Sequence, residues 1–431
     1  MDIYVIYYYN MINTNLKKMT NSSTMSTNEQ VKTLREQGKD IIALGFGQSP
    51  FPPPPGLVSQ LQQHAHTNEY LPVQGLLSLR QEIADYYSKR DGRTLGPEDV
   101  VIGPGTKQLQ FLLQLAMRQP HTFVPVPCWV SYSAHCKIIN RKIRPLYTRL
   151  LDNWKMQESK LDTIRNTKGL RLFIFANPNN PTGTIYTPEE LATVANKLDD
   201  PNIVLLLDEI YSELTFQTPF VSLAKYSPTQ SIISSGISKS MGAGGWRLGY
   251  LVFPPELAEL RKTVVTLASE THSCATTPIQ YACRNLFTNP EFQDYQRKSR
   301  KILSALTEYG ASIFKNTYIR VVKPMATWYL FLDFLVATQL LNNHNIYNAE
   351  EICNTLLEKL HISSTPGTKF LQQRGEMGVR LCLVDFDGAA ALRHCPLETD
   401  ITEQWLEMYT PRPVQGLRSI RDWINCVTND G

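Results

Sequence analysis

Residues 234–250 read Ser-Ser-Gly-Ile-Ser-Lys-Ser-Met-Gly-Ala-Gly-Gly-Trp-Arg-Leu-Gly-Tyr. The stretch sets one lysine, Lys239, among small residues and follows it, eight positions on, with Arg247, itself flanked by glycines and a tryptophan. Read alone, Ser-Lys-Ser is a solvated surface lysine. The surrounding Gly242, Gly244, Gly245 and Gly249 argue otherwise, because glycines remove side chains where backbone must turn or lie against something bulky. The lysine is then presented into a crowded site. There, desolvation and cationic neighbours lower the pKa of an amine and leave a neutral nucleophile able to form a Schiff base with a carbonyl. Arg247 stays charged at every working pH, and its planar fork suits two oxygens of a phosphate. The pair calls for one ligand carrying both a carbonyl and a phosphate.

Pyridoxal phosphate is such a ligand. The run from Gly236-Ile237-Ser238-Lys239 through Gly245, Arg247, Leu248 and Gly249 resembles the lysine signature of class I aminotransferases, the fold type I family of pyridoxal-phosphate enzymes. A pattern fixed at this many positions is far more specific than a lone Gly-x-Gly-x-x-Gly. The resemblance implies an α/β fold: a large domain with a mostly parallel sheet flanked by helices, plus a smaller α+β domain.

The bounds of the chain agree with an enzyme of that size. Its 431 residues imply two or three domains, and a hydrophobic content of 42% is enough for a sizeable core. The charge balance, 43 basic against 39 acidic residues for a net +4, is too even to argue for nucleic acid or an anionic membrane as partner. The eight cysteines show neither Cys-x-x-Cys spacing nor a compact disulfide framework, so reduced thiols in a cytoplasmic compartment are expected, and no metal ligand is assigned. Residues 1–29 differ from the rest. They lack the features of a signal peptide, their apolar run is too short to span a bilayer, and they read as a disordered N-terminal extension, with Met11, Met19 or Met25 as an alternative start.

Beyond that extension, 30–44 reads as a short helix leading to a strand, and a proline-rich connection runs from Gly45 to Gly56. Helices follow over 57–66 and 77–89. From Val100 short β-rich runs alternate with helical ones, which argues for a mostly parallel sheet covered on both faces. The runs Leu-Arg-Leu-Phe-Ile-Phe (170–175) and Ile-Val-Leu-Leu-Leu-Asp (203–208) are continuous rather than alternating, as strands buried on both faces should be. The chain turns helical after Phe253 to about Tyr309 and then mixed. The expected division is a large cofactor-binding domain over 45–300 and a small domain from 30–44 and 301–431, closed by a helix over 414–427. Residues 388–413 find no place in this scheme.

In open parallel sheets ligands bind beyond the carboxyl ends of the strands, and the informative residues fall there. Gly103-Pro104-Gly105-Thr106-Lys107 joins the strand at 100–102 to a helix, whose backbone N–H groups can hold an anion, although a simple βα turn reads the same way. Asn177-Pro178-Asn179-Asn180-Pro181-Thr182-Gly183 follows the strand 170–176. Asp208 ends a five-residue apolar run, which is costly unless it meets a cation or donor. Arg380 lies within the apolar run Gly-Val-Arg-Leu-Cys-Leu (378–383), where an unpaired guanidinium is expensive and wants a carboxylate.

The same family carries similar elements in the same order, from about Gly45 to Leu383. The resemblance implies that Asn180 and Tyr211 meet the pyridoxal 3-oxygen and that Asp208 binds the pyridinium nitrogen, which keeps the ring an electron sink. It implies that Trp129, otherwise an ordinary core tryptophan, stacks on the ring, and that Gly105, Thr106 and Arg247 hold the phosphate. Arg380 and Gly47 then take the substrate α-carboxylate. Tyr70 resembles a tyrosine that reaches the phosphate of a neighbouring subunit, implying a homodimer with shared sites. Lys107, equally a plain helix-start lysine, resembles one that meets the distal carboxylate of aspartate or glutamate in one subgroup. Three departures stand out: Pro324-Met325-Ala326-Thr327-Trp328-Tyr329 where many relatives have a glycine-rich turn, Gly236 where some have a phosphate-binding serine, and the stretch 388–413.

The implied reaction moves an amino group between an L-amino acid and a 2-oxo acid, with Lys239, Asp208 and Tyr211 as catalytic residues. The alternative is a lyase of the same fold, either a carbon-sulfur lyase or an aminocyclopropane-carboxylate-synthase-like enzyme, which would share these residues. An amino-acid-sensing regulator would need an added N-terminal DNA-binding domain, for which the 44 residues before Gly45 are too few and too polar.

Overall fold

Strand β6 (Ile203–Asp208) shows how the sequence builds the molecule. Every one of its residues is buried, and its side chains divide between two cores. Ile203, Leu205 and Leu207 pack on one face of the sheet and Val204 and Leu206 on the other. A strand walled on both sides cannot alternate apolar with polar residues, which is why this run reads as continuous.

The computed structural model describes residues 23–216 and 219–429, together with 13, 16, 17 and 19; the N-terminal extension before residue 13 lies outside the described residues. In chain order the strands are β1 (Ile42–Ala43), β2 (Val100–Gly103), β3 (His121–Val126), β4 (Ile143–Tyr147), β5 (Arg171–Ala176), β6, β7 (Ser231–Gly236), β8 (Gly249–Val252), β9 (Arg320–Val321), β10 (Tyr329–Asp333), β11 (Ile362–Ser363), β12 (Thr365–Pro366) and β13 (Gly378–Cys382). Seven of them form one sheet in the order β2-β8-β7-β6-β5-β3-β4. All of its neighbours pair in parallel except β8, which runs antiparallel to both β2 and β7. This is the mostly parallel, helix-flanked α/β sheet that the alternating pattern predicts.

A four-stranded antiparallel sheet, β12-β13-β10-β9, and the parallel pair β1-β11 lie against a third core. That core gathers Ile42 and Leu44 from the start of the chain with Leu330, Leu381, Leu417 and Ile424 from its far end. The long helix Pro290–Ser312 contributes Ile302 to the large sheet's core and Leu306, one turn on, to this one.

Local signals fix several helix starts. Thr187 accepts from the Glu190 N–H while the Glu190 side chain takes the Thr187 N–H, and Pro188 sits at the first helical position, so Pro188–Lys197 opens on a full capping box. The first helix spans Ser23–Glu36 and begins seven residues earlier than the sequence pattern places it. Residues 388–413, which the pattern leaves unplaced, contain the helices Gly388–Arg393 and Glu403–Tyr409 and the first turn of the closing helix Pro411–Asn429. Pro411 and Pro413 read as breakers, yet both lie in that first turn, where a missing N–H costs nothing.

Candidate active site

The carboxyl ends of β3, β5, β6 and β7 face one cleft, at the point where the chain switches from building the sheet one way to building it the other. The cleft holds a cavity of about 470 Å³ whose lining includes Gly47, Lys107, Asn180, Asp208, Lys239 and Arg380.

Lys239 sits in the one-turn helix Ile237–Ser240 directly after β7. Gly236 lets β7 and β8 close up before it: a Cβ there would lie 2.7 Å from both the Gly249 Cα and the Leu248 carbonyl oxygen. A serine at this position is therefore excluded by backbone. Lys239 Nζ donates to the Gly47 carbonyl at 2.7 Å and lies 5.4 Å from the Trp328 ring centroid and 5.8 Å from that of Tyr211. Burial brings its pKa down to about 8; Arg380 and Arg247 push the same way, against the pull of Cys382 and Asp208. About a tenth of the amine is then neutral at pH 7, far more than for a solvated lysine.

Asp208, 5% exposed, accepts at Oδ2 from the Tyr132 hydroxyl at 2.7 Å and from Gln110 Nε2 at 3.0 Å. Burial raises its pKa, while the Tyr132, Gln110 and Ile210 donors and the Lys239 charge favour the carboxylate. Gln110 Nε2 also donates to Ser234 Oγ at 3.0 Å. Neither Tyr132 nor Gln110 is assigned a role from sequence. The available signal was Gln110 itself, an amide between Leu109 and Leu112 on the fully buried face of the helix Thr106–Ala116.

Arg380, in mid-β13 and 1% exposed, donates to Asn180 Oδ1 at 3.1 Å and to the Gly45 carbonyl at 2.8 Å. Its guanidinium lies between the rings of Tyr329 and Phe370, 4.8 and 4.7 Å from their centroids. Its Nε has no partner, and among the described residues no carboxylate pairs with it. The arrangement awaits an anion. Tyr211 and Tyr329 share a hydrogen bond between their hydroxyls at 2.5 Å. Gly47 must be glycine here, because a Cβ would fall 2.5 Å from the Tyr329 hydroxyl.

The anion end of the cleft is built from β2, β8 and the helix Thr106–Ala116. Gly105 adopts a left-handed φ of 92°, and a Cβ on it would lie 2.4 Å from Arg247 Nη2. Arg247 donates to the Gly244 and Pro104 carbonyls at 2.8 and 3.3 Å and has no carboxylate partner among the described residues. The N–H groups of a helix start and a guanidinium without a counter-charge suit a phosphate. Lys107 Nζ lies 5.2 Å from the Trp129 ring centroid, and its pKa is lowered by burial and then by Arg247.

One expected residue stands apart. Tyr70 is 87% exposed and does not line the cavity of its own chain. Its turn is nevertheless held: Thr277 Oγ1 donates to the Glu69 carbonyl at 2.7 Å, and the Tyr281 hydroxyl donates to Glu69 Oε1 at 2.9 Å.

A cofactor with an aldehyde at one end and a phosphate at the other uses the soft amine of Lys239 and the cradle around Gly105 together, and these residues fit pyridoxal phosphate on both counts. The molecule is thereby a pyridoxal-phosphate-dependent enzyme. The chain belongs to the family "Aminotransferase class I and II", whose model matches residues 39–387. An aspartate aminotransferase of a Bacillus species is 29% identical over 367 residues, covering 82% of this chain and 91% of that protein. An asparagine–oxo-acid transaminase of Streptococcus mutans is 28% identical, over 82% and 90%. Among solved structures, the Thermotoga maritima aspartate aminotransferase superposes with a TM-score of 0.78 at 24% identity, covering 96% of this chain and all of that one. The enzyme is an aminotransferase that exchanges an amino group between an amino acid and a 2-oxo acid.

Proposed function

We propose that its substrates include an acidic amino acid, aspartate or glutamate, and that the residues of the cleft divide the work as follows. Lys239 would hold the cofactor through its amine, and Gly105, Thr106 and Arg247 would hold the phosphate. Trp129 would cover one face of the ring, Asn180 and Tyr211 would meet its 3-oxygen, and Asp208 would keep its nitrogen protonated. Pyridoxal phosphate, when bound, supplies an electron sink for the pair of electrons left when a substrate carbon loses its proton. Arg380 and the backbone of Gly47 hold the substrate α-carboxylate, so that the freed Lys239 amine can take the proton from Cα. Tyr70 serves the phosphate site of a partner subunit in a homodimer. The free thiols of the chain suit a cytoplasmic enzyme.

The observation that carries the substrate reading is a cation in the cavity beyond Lys239, Arg247 and Arg380. Lys107 shares it with Arg380 and pairs with no carboxylate among the described residues, so a ligand with two carboxylates satisfies both. Relatives named as aspartate and aspartate/prephenate aminotransferases lend support. The test adds single amino acids to the holoenzyme and follows conversion of its absorption to the pyridoxamine form, which requires no guess about the 2-oxo acid. Acidic donors should convert it, and Lys107→Ala should lower kcat/KM for them by roughly 10- to 100-fold, the worth of one charged hydrogen bond, while leaving aromatic donors within about threefold. An equal loss for both classes overturns the role of Lys107.

A further inference from the structure

We propose that Tyr329 is a positioning residue that donates its proton to the Tyr211 oxygen, turning the Tyr211 proton toward the cavity and making it the stronger donor. The inference rests on the reading of Tyr211 as a donor to the cofactor 3-oxygen.

The hydroxyls are 2.5 Å apart, so one must donate and one accept. Lys239 lies 5.8 Å from the Tyr211 ring centroid, and the nearer, permanently charged Arg380 decides between the two hydroxyls. Its guanidinium lies 4.8 Å from the Tyr329 ring centroid, and a cation over a phenol favours loss of that phenol's proton. Burial pushes both hydroxyls up and Arg380 pulls back on both; the ring that faces the guanidinium is that of Tyr329. The more acidic phenol donates. A hydroxyl that accepts one hydrogen bond is polarised and donates more strongly with its own proton.

The backbone fixes this geometry. The turn after Tyr211 and the turn before Tyr329 form a short antiparallel ladder, with Thr327 N–H donating to the Leu214 carbonyl at 3.1 Å and Phe216 N–H to the Met325 carbonyl at 3.0 Å. Thr327 is wholly buried yet holds a φ of 73°, an unfavourable conformation for a β-branched side chain. It is retained with a compensating bond, since its Oγ1 accepts the Tyr329 N–H at 3.1 Å. Such cost concentrates where a side chain must be aimed. Here it aims the Tyr329 hydroxyl into the space that only a glycine at 47 leaves free.

The test is a spectrophotometric pH titration of the lysine-bound chromophore in the holoenzyme and in Tyr329→Phe, which keeps the ring and its packing. A donor to the 3-oxygen stabilises the deprotonated form, so weakening that donor raises the apparent pKa. Tyr329→Phe should raise it by about half to one unit, the worth of one neutral hydrogen bond. Tyr211→Phe should raise it further, and adding Tyr329→Phe to Tyr211→Phe should change nothing more, because the second residue acts through the first. An unshifted titration in Tyr329→Phe beside a shifted one in Tyr211→Phe overturns the relay alone, as does full additivity of the two. No shift in Tyr211→Phe removes the underlying reading of Tyr211 and the relay with it.

Discussion

A lysine in water holds its proton to about pH 10.4, and Lys239 releases its own near 8 because the cleft strips water from the ammonium. The sign of the consequence follows: the neutral amine attacks, so its share grows as pH rises through the lowered pKa. Capture of pyridoxal phosphate by the apoenzyme, followed by stopped-flow absorbance, should accelerate with pH and level off above about 8; an inflection near 10.4 would show an ordinary solvated lysine. Asp208 should matter at a different step. Asp208→Asn should still bind cofactor but slow the half-reaction by several orders of magnitude, about 5 kcal/mol of lost stabilisation, read as the rate of pyridoxamine formation, and near-normal turnover would reject its role. Lys239, Asp208 and Arg380 were legible in the sequence because each puts a charge in an apolar or glycine-rich setting, where an unpaired charge is costly. Tyr132, Gln110 and Tyr329 were not, because buried tyrosines and amides are ordinary core residues until a partner is seen across a long sequence separation, 76 residues for Tyr132 and 98 for Gln110.

Among elements, the central strands of the large sheet were readable because burial on both faces leaves a continuous apolar run, whereas the two-residue strands β1, β9, β11 and β12 leave no pattern to read. The path of 388–413 was hidden for another reason: its prolines mark a helix start, and proline alone does not say whether a helix begins or ends. A demanding junction beside the site is the contact between β8 and the helix Thr106–Ala116. A Cβ on Gly249 would lie 2.5 Å from the Thr106 nitrogen and 3.0 Å from the Gly105 Cα, and backbone on both sides cannot yield cheaply. Gly249→Ala should therefore displace the helix start proposed to hold the phosphate. The expected result is weaker cofactor binding by at least tenfold in equilibrium dialysis, about 1.4 kcal/mol, with Lys239 still reducible onto the cofactor at saturation. Unchanged affinity would mean that the helix start does not contribute.

For the whole molecule, the exposure of Tyr70 on an anchored turn predicts a dimer with reciprocal sites. Co-refolding Tyr70→Phe with Lys239→Ala subunits places both defects in one site of each heterodimer and neither in the other. Shared sites should recover about half of a normal dimer's activity, as symmetry requires; recovery limited to that of a Tyr70→Phe site, or a monomer by light scattering, would count against sharing. In the sequence the proposed sharing rests on family resemblance alone, since a tyrosine serving another chain would have no partner in its own.

The two bonds made by the segment 45–47 bear on how the chain comes to life. Gly47 receives Lys239 across 192 residues, and Gly45 receives Arg380 across 335. Contacts so distant along the chain form late, because the loops they close cost entropy before they repay it. A ribosome-bound chain that has not yet emitted β13 can build the large sheet but cannot yet seat Arg380 against Gly45. Capture of the amino acid, which needs Arg380, is thus expected only once β13 has been made, and in refolding the recovery of amide ellipticity should run ahead of the response of the chromophore to added amino acid.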